Sequence, residues 1–212
     1  MIACLRSGTT IRGAAMRAFQ PVYNDNFASF ATVGNFFSAV ECDRIIELGL
    51  SMQSGEATVL GERGKTNVPG GPARQGNVSW IKNDARSEPL FARLEKIASE
   101  INNQAYHFQL EGFGEPIQFT HYDRMGDHYG WHQDHGPGRM SRRKLSMVVQ
   151  LSDPSGYIGS NLQVMSAGSA KNMPRERGSV MIFPSWQVHR VTPLESGLRY
   201  SLVAWIWGEP FR

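Results

Sequence analysis

Residues 199–207 read RYSLVAWIW. A run this rich in β-branched and aromatic residues, free of glycine and proline, is a strand. Its period of two sets Arg199, Ser201, Val203 and Trp205 on one face. Working outward, runs of the same kind recur at Ile117–Tyr122, Leu145–Leu151, Leu162–Met165 and Ser179–Phe183, with Gly, Pro, Asp and Ser between them. That punctuation predicts antiparallel β structure through the C-terminal half. Two helices precede it. Ser38 and Glu41 form a capping-box pair ahead of a helix over 39–52. A second helix opens at Ser87-Glu88-Pro89, with Ser87 as cap and Pro89 in the first turn. Leu90, Phe91, Leu94, Ile97, Ala98 and Ile101 then follow at helical spacing. Between the helices, residues 61–78 are dense in glycine, with Pro69 and Pro72, and are expected to form a long surface loop. The fold class expected is mainly β with supporting helices (α+β), a jelly roll or barrel buttressed from its N-terminal side.

The whole chain has 212 residues, a net charge of +3, 22 glycines and 11 prolines. That length is enough to bury a core without cross-links, and the two cysteines, Cys4 and Cys42, make no disulfide framework. A surplus of three positive charges is too small to point to nucleic acid. No apolar run approaches the ~20 residues that cross a bilayer. Residues 1–20 carry Arg6, Arg12 and Arg17 and no acid. They fit either a transit peptide or a frayed extension, and the extension is preferred. The expected layout is an extension over 1–22 and a single domain over 23–212, in the cytoplasm, with oligomeric state open.

The chemistry concentrates in residues 122–135, YDRMGDHYGWHQDH. On a strand, His132 and Asp134 share a face and can aim an imidazole and a carboxylate at one ion. His189 follows after the chain has had room to cross the sheet and return. Two histidines and one carboxylate on one side of an octahedral ion are the facial triad of non-haem Fe(II) oxygenases. Arg199 lies ten residues past His189. A guanidinium inside a barrel needs an anion. An organic dicarboxylate fits, one end on the metal and the other paired with Arg199. The alternative reading makes His132 and His189 structural and Asp134 a turn cap before Gly136-Pro137-Gly138. The ordered combination with Arg199 favours the metal site.

This order, H-x-D, a later His and an Arg ten residues on, resembles the Fe(II)/2-oxoglutarate-dependent dioxygenases, and within them the prolyl-4-hydroxylase-like branch. The resemblance covers about residues 36–210 and implies a double-stranded β-helix. It implies His132, Asp134 and His189 as iron ligands and Arg199 as the anchor for the distal carboxylate of 2-oxoglutarate. It also implies Tyr122, Ser201 and Gln150 at the cosubstrate, and Tyr129 and Trp205 at the substrate. Fe(II), 2-oxoglutarate and O2 are then required, with ascorbate as an optional addition. The implied reaction inserts one oxygen atom from O2 into a substrate C–H bond, releasing succinate and CO2. A peptidyl prolyl or similar residue is the favoured target. A free amino acid or small metabolite is the alternative, as is a non-catalytic cupin-type metal-binding module. Asp134 fills the position that is empty in the halogenases of this superfamily. Trp205 stands where nucleic-acid demethylases carry a second arginine, so nucleic acid is not expected as a partner, nor is a membrane. This chain departs from the branch at Gly159-Ser160-Asn161-Leu162, where a Gly-Gly-acid-Leu run is common, and at Gln150, where the hypoxia type has a tyrosine.

His107, His121, His128 and His135 are read as non-ligands, with His128 and His135 in solvent. Trp80, Trp131 and Trp186 are read as core or rim packing. Arg142-Arg143-Lys144 is read as a solvated basic run.

Overall fold

The computed structural model describes residues 27–60, 67–69 and 71–210. The extension expected over 1–22 lies outside the described residues. In chain order the elements begin with β1 (Ala31–Val33), α1 (Ala39–Leu50), β2 (Gly55–Glu56), β3 (Thr58–Leu60), β4 (Asn67–Pro69), β5 (Arg74–Gln75), β6 (Asn77–Ile81) and α2 (Glu88–Ile101). They continue with β7 (Leu110–Phe113), β8 (Ile117–Tyr122), β9 (His128–His132), β10 (Arg143–Gln150), β11 (Tyr157–Gly159) and β12 (Leu162–Ser166). The last are β13 (Ser169–Asn172), β14 (Val180–Pro184), β15 (His189–Val191), β16 (Leu194–Gly197) and β17 (Arg199–Gly208).

Two antiparallel sheets face each other. The larger runs β1-β14-β10-β17-β8-β6-β2, with β7 also paired to β17, and the smaller runs β13-β12-β15-β9-β5. This is the jelly-roll architecture expected, with both helices against the outside of the larger sheet.

Alternation along the strands builds two cores from one sheet. Leu145, Met147, Val149 and Leu151 of the β10 region turn toward the helices, as do Leu202, Ala204 and Ile206 of β17 and Ile117 and Phe119 of β8. They meet Cys42 and Ile45 of α1 and Leu90, Phe91, Leu94 and Ile97 of α2. The opposite faces of the same strands turn inward. There Val148 joins Leu162, Val164, Met181, Phe183 and Val191 between the sheets.

Helix α1 begins as its sequence predicts. The Glu41 carboxylate accepts from the Ser38 backbone N–H at 2.8 Å, completing the capping box. Helix α2 begins differently. Ser87 makes no side-chain cap, because its hydroxyl donates to the Lys82 carbonyl at 2.5 Å and is committed to the preceding bend. Asp84 closes that bend instead, its carboxylate accepting from Arg86 N–H at 2.9 Å.

Residues 61–78 are not the continuous loop expected. Residues 61–66 and 70 lie outside the described residues, but β4, β5 and the start of β6 fall inside this span. Strand β4 pairs with β3, and β5 adds to the edge of the smaller sheet against β9. The turn at Gly159-Ser160 persists without the second glycine. Ser160 takes φ 47°, the left-handed region that glycine enters without strain.

Helix α1 touches the sheet through Gly49. Ser79 Oγ donates to the Gly49 carbonyl at 2.8 Å, and a Cβ added at Gly49 would come within 2.3 Å of the Phe119 ring. Alanine gains about 0.8–1.0 kcal/mol of helix propensity over glycine. Overpacking costs about 1–3 kcal/mol, so it wins. Gly49→Ala is expected to lower the urea midpoint, with a net loss of up to about 2 kcal/mol.

Candidate metal and cosubstrate site

Cross-strand register assembles the site. His132 of β9 and His189 of β15 are direct antiparallel partners. Tyr122 of β8 is opposite Arg199 of β17, and Gln150 of β10 is opposite Ser201. Side chains paired this way stand on one face, so Tyr122, His132, His189, Arg199 and Ser201 line one cavity, with Gln150 bonded to Arg199.

Asp134 reaches the same point by another route. It was expected on a strand with His132, but β9 ends at His132. Asp134 sits in the loop beyond, where the Ser185 carbonyl accepts both Asp134 N–H and His135 N–H at 2.9 Å. That double anchor turns the carboxylate inward. Its Oδ1 lies 3.6 Å from His132 Nε2 and its Oδ2 lies 3.5 Å from His189 Nε2. The ligand atoms of His132, Asp134 and His189 all lie within 4.8 Å of one another.

The protein fixes both imidazoles for coordination. His132 Nδ1 is 2.8 Å from the Gly130 carbonyl, and His189 Nδ1 is 2.8 Å from the Gln187 carbonyl. Each carbonyl holds the proton on Nδ1 and leaves the Nε2 lone pair facing the cavity. Burial pushes His189 down to about 4 against the pull of Asp134, so its ring is neutral at pH 7. Burial opposes the charged form of Asp134. The neighbouring His189, His132 and Arg143 outweigh it and hold the carboxyl well below the usual carboxylate range. Two imidazole nitrogens and one carboxylate oxygen are the donor set of a facial triad.

Behind Asp134 stands Ser146, whose hydroxyl donates to Oδ2 at 2.6 Å and lies 3.0 Å from Ser185 Oγ. Such outer partners are worth about 10–100-fold in metal affinity. Ser146→Ala is expected to weaken Co(II) binding by about 10-fold or more, read by titration calorimetry, with the thermal midpoint little changed. Ser146 shares β10's inward face with Val148 and Gln150, so period-two reasoning alone would have found it.

Arg199 is 1% exposed. Its Nε and Nη2 donate to Gln150 Oε1 at 3.2 and 2.9 Å, and its Nη1 is buried without a partner. Among the described residues no carboxylate pairs with it, so the cavity holds an uncompensated positive charge aimed inward. Gln150 positions this guanidinium rather than pointing its amide N–H at a ligand, because that N–H donates to Tyr157 Oη at 2.6 Å. Tyr157 was not among the residues singled out from the sequence.

The remaining expected residues line the same cavity of about 190 Å³, namely Tyr122, Tyr129, Ser201 and Trp205. The Tyr129 ring stacks on His132 with 3.5 Å between centroids. Its phenol is raised to about 12, mainly by burial, and stays protonated. Trp205 has a buried, unpartnered Nε1–H and lies under the Arg143 guanidinium at 3.8 Å.

The basic run is not a solvated patch. Arg142 pairs with Glu111, Arg143 pairs with Glu115 at 2.7 Å, and Lys144 is buried. His128 is not in solvent either. Its two ring nitrogens lie 2.8 and 3.0 Å from the Gly126 and Pro72 carbonyls.

Residues 117–207 match the family described as the 2OG-Fe(II) oxygenase superfamily, and they contain the triad and Arg199. Over those residues the chain is similar to the 2OG-Fe(II) oxygenase superfamily. A PKHD-type hydroxylase of Synechococcus sp. strain CC9605 is 42% identical to this chain over 82 residues, 38% of this chain and 37% of that protein. The chain spans about half the length of the curated relatives it matches. A prolyl-4-hydroxylase from Pseudomonas putida shares the fold with a TM-score of 0.64 at 22% identity, covering 85% of this chain and 93% of that one. A prolyl hydroxylase from Trichoplax adhaerens, solved with a peptide of a hypoxia inducible factor, aligns with a TM-score of 0.69 at 19% identity. That alignment covers 87% of this chain and 84% of the Trichoplax chain. The double-stranded β-helix expected from the resemblance is therefore the fold observed. No helix among the described residues is long and apolar enough to cross a membrane.

Proposed function

We propose that this chain is an Fe(II)- and 2-oxoglutarate-dependent hydroxylase. It inserts one oxygen atom from O2 into a C–H bond of a peptidyl prolyl or similar residue, releasing succinate and CO2. One observation carries the reading: the His132–Asp134–His189 triad and the unpaired Nη1 of Arg199 open into the same cavity. A ligand that chelates a metal at one end and presents a carboxylate at the other satisfies both. The peptide target is supported by the likeness to a prolyl hydroxylase solved with its peptide.

Iron held by this triad with 2-oxoglutarate supplies the oxidising chemistry. The chain's own residues supply placement. The Gly130 and Gln187 carbonyls orient the two imidazoles, and Ser146 orients Asp134. Gln150, held by Tyr157, keeps the Arg199 guanidinium in place for the distal carboxylate. Val148, Leu162, Val191 and Val203 line the cavity between these polar ends and exclude water from the reacting space. Asp134 occupies the third protein position at the metal, which favours hydroxylation over halide transfer.

The test is Fe(II)-dependent conversion of 2-oxoglutarate to succinate, with ascorbate as reductant, across a panel of proline-containing peptides. The expected product carries the mass of one added oxygen atom. No succinate under any of these conditions would sink the reading and favour a non-catalytic metal-binding module.

A further inference from the structure

We infer that Arg74 reads a carboxylate on the substrate, so the oxidised C–H bond lies beside an acidic group. This rests on the hydroxylase reading above and narrows its substrate class. Arg74 is on β5, in the span that composition marks as a loop, yet it is only 8% exposed. Its Nη1 donates to the Thr58 carbonyl at 2.9 Å and its Nη2 to Gln118 Oε1 at 3.1 Å. Both acceptors are neutral, and its buried Nε has no partner. Among the described residues no carboxylate lies within ion-pair distance of it.

A buried guanidinium without a counter-charge costs several kcal/mol. The cavity shows the contrast directly. Arg143 lines the same space and is neutralised by Glu115 at 2.7 Å. Arg74 is held as firmly without neutralisation. Its backbone pairs with Tyr129 across β5 and β9, and the turn before it is tied to β9 where His128 Nε2 meets the Pro72 carbonyl at 3.0 Å. A fixed, dry, unpaired cation in a cavity is a preorganised anion site.

The position of Arg74 selects which anion. Its Cζ lies 4.4 Å from the centroid of Tyr129, whose ring stacks on the metal ligand His132. One carboxylate of 2-oxoglutarate belongs at the metal and the other at Arg199. A second unpaired arginine, one aromatic ring away from His132, is then left for the substrate. On a peptide the carboxylate is an aspartate or glutamate side chain, or the chain terminus.

The test uses the full chain loaded with Zn(II), which is redox-inert, and 2-oxoglutarate. Calorimetry compares acid and amide pairs that differ only in charge. The pairs are proline with prolinamide, N-acetylproline with N-acetylprolinamide, and N-acetyl-prolyl-glutamate amide with its glutamine counterpart, which separates terminal from side-chain carboxylates. At least one acid is expected to bind about tenfold or more tighter than its own amide. Arg74→Met, which keeps the packed stem, should erase that preference and leave 2-oxoglutarate affinity within about twofold.

The inference is overturned if no acid outbinds its amide, or if the preference survives Arg74→Met. It is also overturned if Arg74→Met weakens 2-oxoglutarate about tenfold, which would assign Arg74 to the cosubstrate. Succinate formation without acid preference refutes this inference alone. Acid preference without any succinate formation refutes the hydroxylase reading while upholding the anion site.

Discussion

Asp134→Asn is expected to abolish succinate formation and to weaken Co(II) or Zn(II) binding by more than the about 10–100-fold that an outer partner contributes. The carboxylate is the only anionic member of the triad, and it is 6% exposed. A divalent ion entering this dry pocket needs that charge, since two neutral imidazoles cannot supply it. Asparagine keeps the volume and an acceptor oxygen, so the loss reports charge rather than shape. The fold should survive, because the two bonds that anchor this loop run from backbone N–H groups to the Ser185 carbonyl. Circular dichroism of the variant should therefore match wild type. Co(II) and Zn(II) are stringent probes, as both bind nitrogen and oxygen sites more tightly than Fe(II). Wild-type metal affinity in Asp134→Asn would show that the carboxylate is not a ligand, and the triad would be wrong.

The same loop shows what the sequence can and cannot disclose. H-x-D spacing correctly brings His132 and Asp134 together, but strand alternation is not the cause. The strand ends at His132, and the Ser185 carbonyl, 51 positions further along the chain than Asp134, turns the carboxylate inward. Strands β8, β10 and β17 were legible because each alternates between an apolar face on the helices and a more polar face toward the cavity, which leaves a period of two, and β14 because it is a short unbroken apolar run. The α1 capping box was legible because both partners are local. Ser87 was not. Its hydroxyl could cap α2 or close the bend before it, and only the placed Lys82 carbonyl decides. Arg74 was hidden for a related reason. A two-residue edge strand owes its existence to β9, a distant partner, and its glycine-rich neighbours look like a loop. Arg199 was legible because β17 is long and an arginine is out of character for a buried face.

Arg199→Met should separate cosubstrate binding from folding. Removing one partner of a buried hydrogen-bonded charge pair costs about 2–5 kcal/mol. The affinity for 2-oxoglutarate should therefore fall by about 30-fold to several thousand-fold. The ligand-free protein should respond quite differently. Replacing an unpaired buried charge with an apolar side chain of similar volume is often neutral or stabilising, by up to about 4 kcal/mol. Against this, Gln150 Oε1 loses both of its guanidinium donors, at about 1–3 kcal/mol. The two effects oppose each other, so ligand-free stability should move by no more than about 3 kcal/mol. Thermal unfolding with and without 2-oxoglutarate checks both halves. Wild type gains about 2.7 kcal/mol at a ligand concentration 100 times Kd, and Arg199→Met should gain almost nothing at that concentration. Equal gains in the two proteins would mean that the guanidinium does not hold the ligand, and its unpaired Nη1 would need another anion. A large loss of ligand-free stability would instead make Arg199 a structural residue. Arg199→Lys decides between charge and geometry. It keeps the charge but not the fork that reaches Gln150 and the cavity together, so an affinity close to that of Arg199→Met would assign the binding to the planar guanidinium.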